Sequence, residues 1–152
     1  MQVLALLLPA LLTIFLDQST KAWVRHGLGQ TQTLRLGKVV VRHQLNRRAF
    51  FASPETDPLL LLVLAIELAT LVAVTALTPL MGATFTAVAL GIAAGGASSN
   101  VIDQVRHHGV VDFIDLGWWP VFNLADLAIV VGASSALASF GIALVTARFG
   151  VT

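Results

Sequence analysis

The sequence predicts an all-α integral membrane protein: four transmembrane helices, with a small β-sheet outside the bilayer and an outer loop. Three observations carry that prediction. Hydrophobic residues make up 57% of the 152 residues and charged residues 11%, with a mean hydropathy of +0.86, far too little charge for an ordinary soluble domain of this size. Apolar runs approaching the roughly 20 residues that a bilayer crossing needs recur along the chain, separated by turn signals. Between the first and second runs the character switches to polar and β-branched. The whole reads as one membrane domain, 1–152.

The first span covers about residues 3–23. Val3 to Leu16 is apolar with Pro9 inside it, and only by running on through Asp17 and Lys21 to Trp23 does the helix become long enough to cross. Asp17 and Lys21 are spaced i, i+4 near the membrane surface, where a helix-end ion pair is the plainest use for them. With no basic residue before the run and no small-x-small site after it, the segment reads as a retained span rather than a cleaved signal peptide. From about 28 to 51 the alternation of Thr33-Leu34-Arg35-Leu36 and the run Val39-Val40-Val41, with Gly37 as the turn, predict a small sheet. Ser53-Pro54-Glu55-Thr56-Asp57-Pro58 is a helix start, and the second span follows at about 58–78 with Glu67 in its middle. Thr78-Pro79-Leu80-Met81-Gly82 turns into a third span, about 83–102. Its small residues, including Gly91 and Gly95 at a G-xxx-G spacing, permit close helix approach; no Lys-Ser/Thr follows to make a phosphate loop. After an outer loop at about 103–120, the fourth span runs over about 121–146.

The chain is organised around Gly95 to Gly132, which places Asp103, Asp112, Asp115 and Asp126 in or beside apolar sequence. An ionisable group inside a membrane segment costs roughly 2.5 to 3.5 kcal/mol on insertion scales, so Asp126 reads as functional. Asp112 is its expected partner. On one unbroken helix the two would lie about 21 Å apart, so the chain must fold back between them. Gly117 and Pro120 supply the break, and Trp118 and Trp119 an aromatic anchor at a membrane interface. Two aspartates in a water-poor site cannot both ionise easily, which yields an acid and a base from one residue type. Such a pair suits peptide hydrolysis, with the charged carboxylate activating a water and the protonated one bonding to the scissile carbonyl oxygen. Neither HExxH nor GxSxG is present. His26, His43, His107 and His108 lack a metal-like spacing and read as solvated loop residues, so no metal and no cofactor is expected. The absence of cysteine excludes a disulfide framework, a thiolate metal site and a cysteine nucleophile. A net charge of +1 gives no reason to expect a nucleic-acid partner.

These residues are specific enough to resemble a family, the lipoprotein signal peptidases (signal peptidase II), four-span aspartic endopeptidases of the bacterial inner membrane. Leu16-Asp17-Gln18-Ser19-Thr20-Lys21 looks like the family's first block, Asn46 with Ala49 and Phe51 like its second, and Gly95-Gly96-Ala97 with Asn100 and Ile102-Asp103 like its third. The strongest matches are Gly109-Val110-Val111-Asp112-Phe113 and Trp119-Pro120-Val121-Phe122-Asn123-Leu124-Ala125-Asp126. The resemblance implies that Asp112 and Asp126 are the catalytic aspartates, at the extracytoplasmic face. It also implies that Asp17, Lys21, Asn46, Gly96, Asn100, Asp103, Asn123 and Ala125 frame the site and orient substrate. The implied substrates are lipid-modified precursor proteins, cut before a diacylglyceryl cysteine; membrane phospholipid and globomycin-type inhibitors are further implied partners.

The departures from the family pattern are concentrated. Asn46-Arg47-Arg48-Ala49-Phe50-Phe51 stands where Asn-x-Gly-Ala-Ala-Phe is usual, and Ser99-Asn100-Val101-Ile102-Asp103-Gln104 where an arginine usually follows the aspartate. Gln104 thus replaces a five-donor cation with a neutral amide, and Arg48 is positioned to restore the charge from the other loop. A second tension concerns topology. Eight of the nine Lys and Arg residues, all but Arg148, fall in segments 17–58 and 103–120, and charge counting would make that face cytoplasmic, whereas the resemblance places it outside. Two alternatives remain beside the peptidase reading: a specialised paralogue with a different or narrower membrane substrate, and a non-enzymatic or proton-relay membrane protein.

Overall fold

A computed structural model describes residues 1–28, 32–47 and 83–150. The expected second span at 58–78, Glu67 and Arg48 lie outside the described residues. Helix α1 spans Gln2–Trp23 and runs on into a wider π-helical turn, Val24–Leu28. Strands β1 (Thr33–Leu36) and β2 (Val39–Asn46) follow, then helix α2 (Ala83–His107), strand β3 (Val110–Asp115) and helix α3 (Leu124–Phe149). Three stretches among the described residues, Gln2–Leu28, Thr84–His107 and Leu124–Ala143, are long and apolar enough to cross a membrane. On α1, Leu4, Leu8, Leu11 and Phe15 form an exposed apolar stripe at helical spacing, a face that suits hydrocarbon rather than water.

Helix α2 is the middle member, packed against both α1 and α3. Its glycines make this possible. A Cβ at Gly91 would collide with the carbonyl of Leu6, and one at Gly95 would stand 2.5 Å from the carbonyl oxygen of Ala10, so α1 lies against bare backbone. On the other side a Cβ at Gly132 of α3 would come 2.5 Å from the Ala89 oxygen. The third span therefore uses its small residues for close packing, as expected of a G-xxx-G surface.

The sheet has the order β1-β2-β3 and is antiparallel throughout. Gly37, at φ 65°, takes the first position of the two-residue turn between Leu36 and Val39, a conformation that favours glycine. The third strand corrects the expectation of an outer loop at 103–120: α2 continues to His107 and Val110–Asp115 pairs with β2. Val110, Val111, Phe113 and Ile114 are β-branched or aromatic, so the segment has strand chemistry, with His108 and Gly109 making the corner after α2. Between Val41 and Gln44 the register slips by one residue, a bulge that re-aims the end of β2 so that Gln44 opposes Asp112 and Asn46 opposes Val110.

Candidate active site

Asp112 sits in the middle of β3, buried, and β2 supplies its first partner. Asn46 is the diagonal neighbour of Asp112 on the same face of the sheet, and its Nδ2 donates to Oδ2 of Asp112 at 3.0 Å. The chain then reverses. Gly117, at φ 81°, donates its N–H to Oδ1 of Asp115, and Phe122 bridges back to Ile114, with Phe122 N–H donating to the Ile114 oxygen at 3.1 Å and Ile114 N–H to the Phe122 oxygen at 2.8 Å. This reversal brings Asn123 against Asp112. Trp118 and Trp119 remain exposed at its tip, edge to face with centroids 5.8 Å apart.

Asn123 then starts α3. Its Oδ1 accepts from the N–H of Asp126 at 2.9 Å, and the Asp126 carboxylate accepts from the N–H of Asn123 at 3.2 Å, a reciprocal capping box. The Nδ2 of the same residue donates to Oδ1 of Asp112 at 2.8 Å. One asparagine therefore touches both aspartates. Asn100 of α2 completes the set, donating from Nδ2 to Oδ1 of Asp126 at 2.8 Å while its Oδ1 accepts from Asn123 at 3.2 Å and from the Lys21 ammonium at 2.9 Å. Gly96 allows this approach, since a Cβ there would lie 2.5 Å from the Ala125 oxygen in the first turn of α3.

Beneath the pair lies a second layer. Lys21 is fully buried and bridges Asp17 at 2.7 Å and Asp103 at 3.0 Å. Asp17 caps α3 from α1 by accepting the N–H of Ala125 at 2.9 Å, and Asp103 fixes β3 by accepting the N–H of Val111 at 3.0 Å. The i, i+4 pair expected as a helix-end ion pair near the membrane surface is thus an interior junction holding α1, α2, α3 and β3 together. Removing one member of such a buried group strands the others, at a cost of about 3–5 kcal/mol.

Burial pushes the Asp112 carboxyl up from 3.8 to about 6; the Asn46 hydrogen bond opposes that rise, and the facing Asp126 charge adds to it. The site therefore contains a carboxyl poised to carry a proton beside a second carboxylate on the amide end of a helix.

A sequence model of signal peptidase (SPase) II matches residues 9–142, most of the chain. The chain belongs to the signal peptidase II family. Within that family, the lipoprotein signal peptidase of Syntrophomonas wolfei is 38% identical over 124 residues, covering 80% of this chain and 83% of its own. That of Methylorubrum extorquens is 38% identical over 136 residues, covering 83% and 79%. A bacterial membrane enzyme solved by the in meso method at 1.9 Å shares the fold, with a TM-score of 0.69 at 23% identity over 88% of this chain and 90% of its own. This signal peptidase II family member is accordingly a peptidase of the membrane.

Of the site residues expected from sequence, Asp17, Lys21, Asn46, Gly96, Asn100, Asp103, Asp112, Asn123, Ala125 and Asp126 converge in this one cluster. Among the described residues Gln104 makes no side-chain hydrogen bond to it, and its Oε1 is buried without a hydrogen-bond partner there. Arg48 falls outside the described residues. Two participants were missed: Gln18 donates to Ser99 and Asp103, and the Ser99 hydroxyl donates to Asp17 at 2.7 Å. Their signal was positional, Gln18 lying beside Asp17 and Ser99 one turn before Asp103. The histidines also need correction: His107 closes α2 against Arg25, and His43 is a half-buried residue of β2.

Proposed function

We propose that this protein is an aspartic endopeptidase of the bacterial inner membrane, crossing it several times, that removes signal peptides from lipid-modified precursor proteins before the diacylglyceryl cysteine. Asp112 and Asp126 act together at the extracytoplasmic face. The observation that supports the pair most directly is Asn123, whose side chain holds one aspartate and whose backbone holds the other. Family membership supports the reaction, and the names of the relatives support the substrate.

Asp112, with its raised pKa, is the acid, and Asp126, fed by an N–H from Asn123 and another from Asn100, is the base. Asp126 accepts a proton from water as the water oxygen bonds to the scissile carbonyl carbon, while Asp112 hydrogen-bonds to the carbonyl oxygen and stabilises the charge developing there. Asp126 then passes its proton to the departing amide nitrogen, the C–N bond breaks, and a carboxyl and an amine leave. Lys21 acts at one remove by fixing the Asn100 amide with its N–H toward Asp126.

The test is cleavage of a lipid-modified precursor by Asp112→Asn and Asp126→Asn. Each variant is expected to lose nearly all activity, and the double variant little more than either single one, because the two carboxyls act as a unit. Retained turnover in either single variant, with insertion intact, refutes the assignment. A protein whose aspartates only relay protons would leave the precursor uncut even before mutation.

A further inference from the structure

A basic cluster lies outside the aspartate site and takes no part in the proposed chemistry. Arg25, in the π-helical turn after α1, reaches the last turn of α2, where its Nη1 contacts His107, 3.3 Å from Nδ1 and against Nε2 as well. A guanidinium has donors only, so its partner here is a neutral ring nitrogen rather than a carboxylate. The Nε of Arg25 is buried and finds no hydrogen-bond partner among the described residues. His43 of β2 faces the same cation; burial first, and then the Arg25 charge, hold its pKa below the ordinary value. Arg106, exposed in the last turn of α2, adds its charge beside His107. Among the described residues, Asp103, the acid whose charge reaches His107, is already paired with Lys21.

A partly buried guanidinium with a donor left over, facing neutral rings and a second cation rather than a carboxylate, is costly unless an anion completes it. The location narrows the choice of anion. Arg25 lies three residues from the end of the apolar stretch Gln2–Leu28, and Arg106 and His107 close Thr84–His107, so the cluster stands where an apolar core gives way to lipid phosphates. The planar fork of an arginine matches a phosphate in two-point contact.

We propose that Arg25, His43, Arg106 and His107 form a binding site for the phosphodiester of an anionic membrane lipid, on the face of the bilayer that carries the sheet. The site also gives the Lys and Arg excess of that face a use other than setting orientation: part of it is fixed in a folded cluster that draws anionic headgroups to the rim of the enzyme.

The experiment uses the full-length protein in nanodiscs of zwitterionic phosphatidylcholine containing a minor fraction of phosphatidylglycerol, with native mass spectrometry counting the lipids that stay bound. The parent is expected to retain phosphatidylglycerol over phosphatidylcholine by at least tenfold. Arg25→Gln should abolish that preference and Arg25→Lys recover part of it. Arg42→Gln removes an equal charge from the sheet and should change nothing. Arg106→Gln, at an exposed position that folding tolerates, should weaken retention several-fold and serves if Arg25→Gln fails to insert. Unchanged preference in both Arg25→Gln and Arg106→Gln overturns the site, as does an equal loss in Arg42→Gln, which would mean diffuse attraction. Displacement of the lipid by millimolar inorganic phosphate would overturn the lipid assignment in favour of a soluble phosphate.

Discussion

Asp112 and Asp126 are the same side chain in unlike settings. Asp112 is buried on a strand with its pKa lifted to about 6, and activity that needs it protonated is full below that value and declines as pH rises through it. The pH profile of kcat/KM, which reports the free enzyme, should therefore have its alkaline limb near 6, and the profile of kcat should have it higher, because a bound precursor dries the site further. The limb belongs to the coupled pair rather than to one carboxyl alone. Asn46 donates to the charged form and holds the value down. Asn46→Leu should move the kcat/KM limb to higher pH; a limb that stays put or moves down would show that Asp112 is not the acid. At this scale the sequence was most legible where the chemistry was costly, since a carboxylate in apolar sequence demands a reason. Gln18 and Ser99 carry no such cost, and only their partners on other elements reveal them.

The elements that aim these residues depend on small or unusual backbone positions. A methyl at Gly96 would press on the carbonyl of Ala125 and push the first turn of α3, with Asp126 in it, away from Asn100. Gly96→Ala should keep the protein folded yet lower cleavage by about 100-fold, the order of loss that a displacement near 1 Å produces. Steady-state cleavage beside circular dichroism checks it. At the corner between α2 and β3, His108 is held at φ 51°, a left-handed conformation that costs a non-glycine residue about 1–2 kcal/mol. His108→Gly removes that strain but frees the unfolded chain, so the expected gain is at most about 1 kcal/mol, read as a small rise in the unfolding midpoint. This corner also hid β3 from a reading of the sequence. The valines around Asp112 looked like the surroundings of a motif, and a strand only six residues long that pairs with a segment far back in the chain leaves no periodicity of its own. The three described helices were plain by contrast, though α2 runs past its expected end because Asp103, a charge that looks like a boundary, is paired inside the protein.

For the molecule as a whole, composition alone declared the membrane, and the open question is which way the chain faces. The parent has no cysteine, so single cysteines at Gln32 and Thr152 can be labelled from outside by a membrane-impermeant maleimide without background. Labelling at Gln32 and not at Thr152 is the expected result; the reverse would place the aspartates away from exported precursors and end the proposed function. The capping box at the start of α3 has a consequence for descent. The Asp126 carboxylate is a structural member of that helix start, while Asp112 is a buried acid whose ionisation the fold penalises. If Asp112 serves only the proposed cleavage, a lineage that gave up that reaction would shed it early, since relief of burial favours its loss, and would keep Asp126 to hold the helix. On that reading, an aspartate matching Asp126 in some distant homologue would testify only to ancestry, and one matching Asp112 to the proposed reaction.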